Sequence, residues 1–270
     1  MTADAQRSAA GMQPFFTPGA LHGLRTPAFR WSIAPALGAW VLLLVLWSQG
    51  GALALCIAPR ATLLDGILAA MAAGFATVEP VRWAGEWTLM IAAMMFPLLV
   101  PMIGHVAAKS FAARRERSVA LFVTGYALTW AIAAAAASVA LIATRAGLSS
   151  LGLASSAGLI GCALAALWQL APAKQRAVNR CHGTVALRPF GPAADRDALR
   201  FGVLHGTRCV RACGPTMALP LLGGLVGGLG LGAMAVIFAI LLAERARHRP
   251  QYGLSAVALL LLGLVSALGV

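Results

Sequence analysis

Acidic residues are scarce in this chain: there are eight Asp and Glu in 270 residues, and all charged residues together make up 11%. Soluble domains carry about 25%, so a globular domain with an ordinary charged exterior is excluded. No acid stands inside the apolar runs described below, because Glu79, Glu86 and Glu244 fall at their edges. That absence removes paired carboxylates for acid–base catalysis and a carboxylate relay for active transport. Cysteines number five, an odd count that gives no complete disulfide framework. Phosphate-binding glycine loops, the dinucleotide fingerprint and the H-E-x-x-H zinc-protease motif are missing. Nothing in the sequence points to an enzyme.

Apolar residues are abundant instead, at 60%. A helix needs about 20 of them in succession to cross a bilayer. Runs of that kind occupy 33–58, 87–108, 119–143, 151–170, 201–222, 225–243 and 254–270. The expected fold is therefore all-α, a polytopic transmembrane helix bundle of about seven spans over 31–270, following a polar, proline-containing tail over 1–30. The run from Ile33 is longer than a signal-peptide core. Leu53-Ala54-Leu55-Cys56 departs from a lipoprotein signal at bulky Leu55, so the first run is expected to remain as an anchor.

Lys and Arg in short loops collect on the cytoplasmic side. Arg7, Arg25 and Arg30 precede the first span; Lys109, Arg114, Arg115 and Arg117 follow the second. Lys174, Arg176, Arg180, Arg188, Arg196 and Arg200 follow the fourth, and Arg245, Arg247 and Arg249 the sixth. Only Arg60, Arg82 and Arg145 fall on the other side, with Asp65, Glu79 and Glu86. The pattern places the N-terminus inside and the C-terminus outside, in a multi-pass inner-membrane protein. The stretch 61–78 would break this alternation as a span. With Leu63, Ile67, Met71 and Phe75 at four-residue spacing, it is read as an outer-face helix lying on the bilayer. The net charge of +13 then reflects orientation and attraction to anionic lipid headgroups, not nucleic acid. Gly223, Gly224, Gly227, Gly228 and Gly232 suggest close helix packing in the sixth span.

Within the fifth span His205, Cys209, Cys213 and Met217 are spaced by four, so in a helix they form one column. Imidazole, thiol and thioether together suit Cu(I) first and zinc second. Arg208 and Arg211 flank the cysteines, and a neighbouring cation favours the thiolate that binds metal. Pro215 frees the carbonyl of Arg211 beside Cys213. A lone cysteine pair is as often packing as ligand; four soft ligands in register tilt the balance. The second span adds Met90, Met94, Met95, Met102 and His105, with Pro97 and Pro101 bending it. Counting a rise of about 1.5 Å per residue from the cytoplasmic ends matches His105 with His205, Met102 with Cys209, Met95 with Cys213 and Met90 with Met217. If the helices touch, they form a ladder of soft ligands. Cys181-His182 in the loop after the fourth span would serve as an entry or exit ligand. Cys56 and Cys162 read as packing residues.

The residues from Trp87 to Glu244 resemble a family of predicted metal-binding integral membrane proteins, a domain of unknown function sometimes labelled copper chaperone. The resemblance rests on Trp87, Met90, Ala93, Met94, Met95, Pro97 and Pro101, on the stretch from Gln169 to Lys174 leading to Cys181, and on His205, Gly206, Cys209, Cys213 and Met217. The family pattern has further cysteines where Ala177 and Ala212 stand here, so the ligand set implied is thinner. The function expected is binding of Cu(I) and its delivery to a metal-receiving membrane or periplasmic protein. A thiol-redox protein working through Cys209 and Cys213, and a structural subunit without metal, are the alternatives.

Overall fold

A computed structural model describes residues 26–48, 80–223, 230–246 and 251–268. The interfacial helix expected at 61–78, most of the N-terminal tail, Cys56, Gly224, Gly227 and Gly228 lie outside the described residues. Among the described residues every element is helical: α1 (Phe29–Ser48), α2 (Pro80–Met95), α3 (Val100–Ala108), α4 (Arg115–Ser150), α5 (Ala157–Leu170), α6 (Pro172–Cys181), α7 (Gly191–Ala218), α8 (Gly230–Ala246) and α9 (Tyr252–Ala267). Two stretches, Phe29–Ser48 and Ala112–Ser150, are long and apolar enough to cross a membrane; there are four if α2 with α3, and α5 with α6, each count as one bent span. Leu37, Val41 and Leu44 on α1 and Leu254, Val257 and Leu261 on α9 face outward.

The bend between α2 and α3, 46°, follows from Pro97, which cannot donate to the carbonyl of Ala93. The carbonyls at this bend are closed off by α1. The Trp40 indole N–H donates to the Ala93 carbonyl at 3.1 Å and the Ser32 hydroxyl to that of Phe96 at 2.5 Å. The kink is thus a docking joint, since a buried carbonyl must find a donor.

Helix α4 runs without a break through Arg145, where an outer loop was expected, because its alanine-rich sequence offers nothing to stop it before Gly152. There the chain turns into the left-handed region (φ 72°). Leu153 N–H then bonds the carbonyl of Leu148 at 2.8 Å and Gly152 N–H that of Ser149 at 3.1 Å, the paired bonds of a glycine-terminated helix end. Helices α4 and α7 form the central pair. A Cβ on Gly202 would lie 2.1 Å from the Phe122 carbonyl oxygen, and one on Gly206 2.8 Å from Thr129; only glycine allows this approach. Gly232, by contrast, meets nothing within 4 Å, so it does not mark close packing in α8. On α5, Cys162 packs its Cβ against Gly263 of α9.

The stretch carrying Lys174, Arg176 and Arg180 is not a loop. Ala171 is extended, as a residue before proline prefers, and Pro172 starts α6 at 69° to α5. The turn drives Lys174 inside, where it is fully buried and pairs with Glu244 at 2.9 Å; its ammonium also reaches the Thr216 hydroxyl at 3.4 Å. Neither residue is the edge charge that the sequence suggested. Removing one partner of a buried pair strands the other, at a cost of about 3–5 kcal/mol. Lys174→Met should therefore lower the unfolding midpoint in detergent sharply, and Lys174→Met with Glu244→Leu should recover much of the loss. Additive losses in the double variant would show that the two charges do not depend on each other.

At one end of the bundle Arg30 pairs with Glu116, Arg114 and Arg117 with Asp195, and Arg188 with Asp197. These pairs gather the starts of α1, α4 and α7 on a single basic face.

Candidate metal centre

Helix α7 turns His205, Cys209, Cys213 and Met217 inward, each at most 3% exposed. The two thiols are 4.0 Å apart, and the Met95 sulfur of α2 lies 4.0 Å from Cys209. Metal–thiolate bonds are about 2.3 Å long, so two sulfurs sharing one ion lie no more than about 4.6 Å apart. Both separations fall inside that limit. The second and fifth apolar runs therefore meet, but one turn out of the register counted from their ends. Met95 faces Cys209 in place of Cys213, and His105 stacks edge-on against Phe201 with ring centres 5.9 Å apart. Two features account for the slip. Helix α7 begins at Gly191, well before the apolar run, and the bend at Pro97 removes height from everything beyond it.

The remaining candidates fall outside this sulfur cluster. Met90, Met94 and Met102 are buried in the core, but no hydrogen bond joins them to a thiol among the described residues. His105 donates through Nε2 to the Val185 carbonyl at 3.0 Å. Cys181 ends α6 as a buried free thiol, within electrostatic range of Cys213 and Arg245. No group of three or more His, Cys, Asp and Glu side chains able to hold a metal occurs among the described residues; the third sulfur is the Met95 thioether.

The environment of the thiols came from residues that the sequence did not single out. Arg245, at the end of α8, donates through Nη2 to Cys209 Sγ at 3.3 Å and to Cys213 Sγ at 3.7 Å. The buried Tyr126 hydroxyl of α4 donates to Cys209 Sγ at 3.3 Å. Arg208 and Arg211, the expected countercharges, point elsewhere. Residues one or two away along a helix do not share a face, and Arg208 donates to the Gly183 carbonyl at 2.9 Å. A trace of Tyr126 was available in the sequence, because a phenol in the middle of an apolar helix needs a partner. Arg245 left none, reading as one more cation after a span.

This donor set fits a soft monovalent cation. Two thiolates around Cu(I) leave one negative charge, which the single guanidinium offsets. The Met95 thioether adds a neutral soft donor without further charge. His205 supplies a second sign of fit. Both ring nitrogens are buried with no hydrogen-bond partner, and the ring is enclosed by Phe122, Tyr126 and Phe201. An unsatisfied buried donor or acceptor costs about 1–3 kcal/mol, and an imidazole held this way, one turn from Cys209, is a further soft donor that a cation would satisfy.

No curated protein and no solved structure matches the chain. The model of the family described as PpoB2: Copper chaperone matches residues 84–268, a stretch that holds α3 to α9 whole, most of α2, and every residue of the sulfur cluster. With well over half of its length matched, and the cluster inside the match, the chain belongs to the PpoB2 copper chaperone family.

Proposed function

We propose that this chain is an inner-membrane protein that takes Cu(I) as cargo between Cys209, Cys213 and Met95 and passes it to a metal-receiving membrane or periplasmic protein. One observation carries the reading: three sulfurs meet in the dry interior against a single guanidinium, a balance that suits a soft monovalent ion better than zinc. His205, next along the α7 face, is the neighbouring station for an ion entering or leaving. The chain acts by binding and transfer, without catalysis. Its seven apolar runs are seven spans, with the N-terminus inside and the C-terminus outside. The basic face at the starts of α1, α4 and α7 supports that orientation, because Lys and Arg mark the cytoplasmic side.

Titration of the full chain, purified in mild detergent under reducing conditions, should reach about one Cu(I) per chain against a competing chelator, as one cluster of soft ligands requires. Accessibility labelling of Arg115→Cys and Arg145→Cys in a background without other cysteines should find the first reachable only from the cytoplasm and the second only from outside. Absence of Cu(I) binding together with a trapped mixed disulfide at Cys209 or Cys213 would replace the proposal with thiol exchange.

A further inference from the structure

Beside α7, with Met217 in its wall but neither Cys209 nor Cys213, lies a cavity of about 790 Å³, within the size range of organic-ligand sites. Four guanidinium-bearing residues line it: Arg176 and Arg180, one turn apart on α6, and Arg208 and Arg211 on α7. No acidic residue lines it. Arg176, Arg180 and Arg211 are exposed and Arg208 is half-buried, so the four present positive charge at the cavity without an acid beside them, a set that selects an anion. Guanidinium groups match phosphate oxygens two at a time.

The rest of the cavity is not built for a small ion. Ala133 and Ala137 of α4 and Ala218 of α7 give it an apolar wall, and Trp87, Trp130 and Trp168 line it as well. Trp130 is 2% exposed, and its indole N–H is buried without a partner; the Trp168 N–H is in the same state. These are unpaired hydrogen-bond donors in the same cavity as an apolar wall and a cluster of cations. Phosphate, ester oxygens and hydrocarbon occur in that order in a glycerophospholipid.

We propose that this cavity binds one anionic phospholipid, its phosphate on Arg176, Arg180, Arg208 and Arg211, its ester oxygens on the Trp130 and Trp168 indoles, and its acyl chains along Ala133, Ala137 and Ala218. The site rests on the membrane reading above and is separate from the sulfur cluster. Arg208 and Arg211, which adjoin the cysteines in sequence, serve this other face.

The test is native mass spectrometry of the full chain, stripped of lipid in detergent and titrated with phosphatidylglycerol, phosphatidylcholine or inorganic phosphate. One phosphatidylglycerol should be retained at least tenfold more tightly than phosphatidylcholine, and inorganic phosphate should not displace it. Arg176→Gln with Arg180→Gln and Arg211→Gln should abolish the preference, with Cu(I) stoichiometry unchanged as the check on folding. Trp130→Phe, which keeps the ring and removes the donor, should weaken retention of both lipids. Equal retention of the two lipids by the unmutated chain overturns the site, as does displacement of phosphatidylglycerol by phosphate, which would make it a free-anion site. A chain that stays dispersed without detergent overturns the membrane reading and the lipid site together.

Discussion

Cys209→Ala combined with Cys213→Ala should reduce Cu(I) retention from about one ion per chain to near zero under chelator competition, because it removes every anionic donor from the cluster and leaves only neutral ones. Each single variant should retain weak binding through Met95 and the surviving thiol, which are already within 4.0 Å of each other when that thiol is Cys209. Cys209→Ala should therefore be the more damaging of the two, since Cys209 touches both Met95 and Cys213. Met95→Leu, which removes a neutral donor while keeping volume, should cost less than either. The measurement is Cu(I) affinity by competition, with the unfolding midpoint of the copper-free protein as a control. Unchanged stoichiometry in the double variant would remove the assigned cluster from the copper path.

Arg245→Met should weaken Cu(I) binding by about 10–100-fold, the range seen when a group supporting the ligands of a metal site is lost. The cause is electrostatic. Two thiolates and one Cu(I) carry a net negative charge in the protein interior, and the guanidinium that contacts both sulfurs is the charge that offsets it. Arg245→Lys should recover part of the loss, since an ammonium restores the charge but not the reach of the planar fork. Arg208→Met and Arg211→Met should leave affinity near the unmutated value, although they adjoin Cys209 in sequence. The reverse result, with Arg208 or Arg211 dominant and Arg245 silent, would mean that α8 does not close over the thiols.

What the sequence determined by itself is mostly what depends on composition and local spacing. Long apolar runs favour helices, because a backbone buried among apolar groups must satisfy its own donors and acceptors. The spacing of His205, Cys209, Cys213 and Met217 requires one helical face, and Pro97 requires a bend where the structure has one. Tertiary structure alone decided which groups meet. The Met95 to Cys209 contact depends on where α7 begins and how far α2 leans at its bend, neither of which a residue count supplies. Arg245 reaches the thiols, and Lys174 reaches Glu244, because α8 and the sharply turned α6 pack beside α7; a cation near a span end looks the same in sequence whether it faces water, lipid or a thiolate. Charge has no periodicity, so its partner is fixed only by packing.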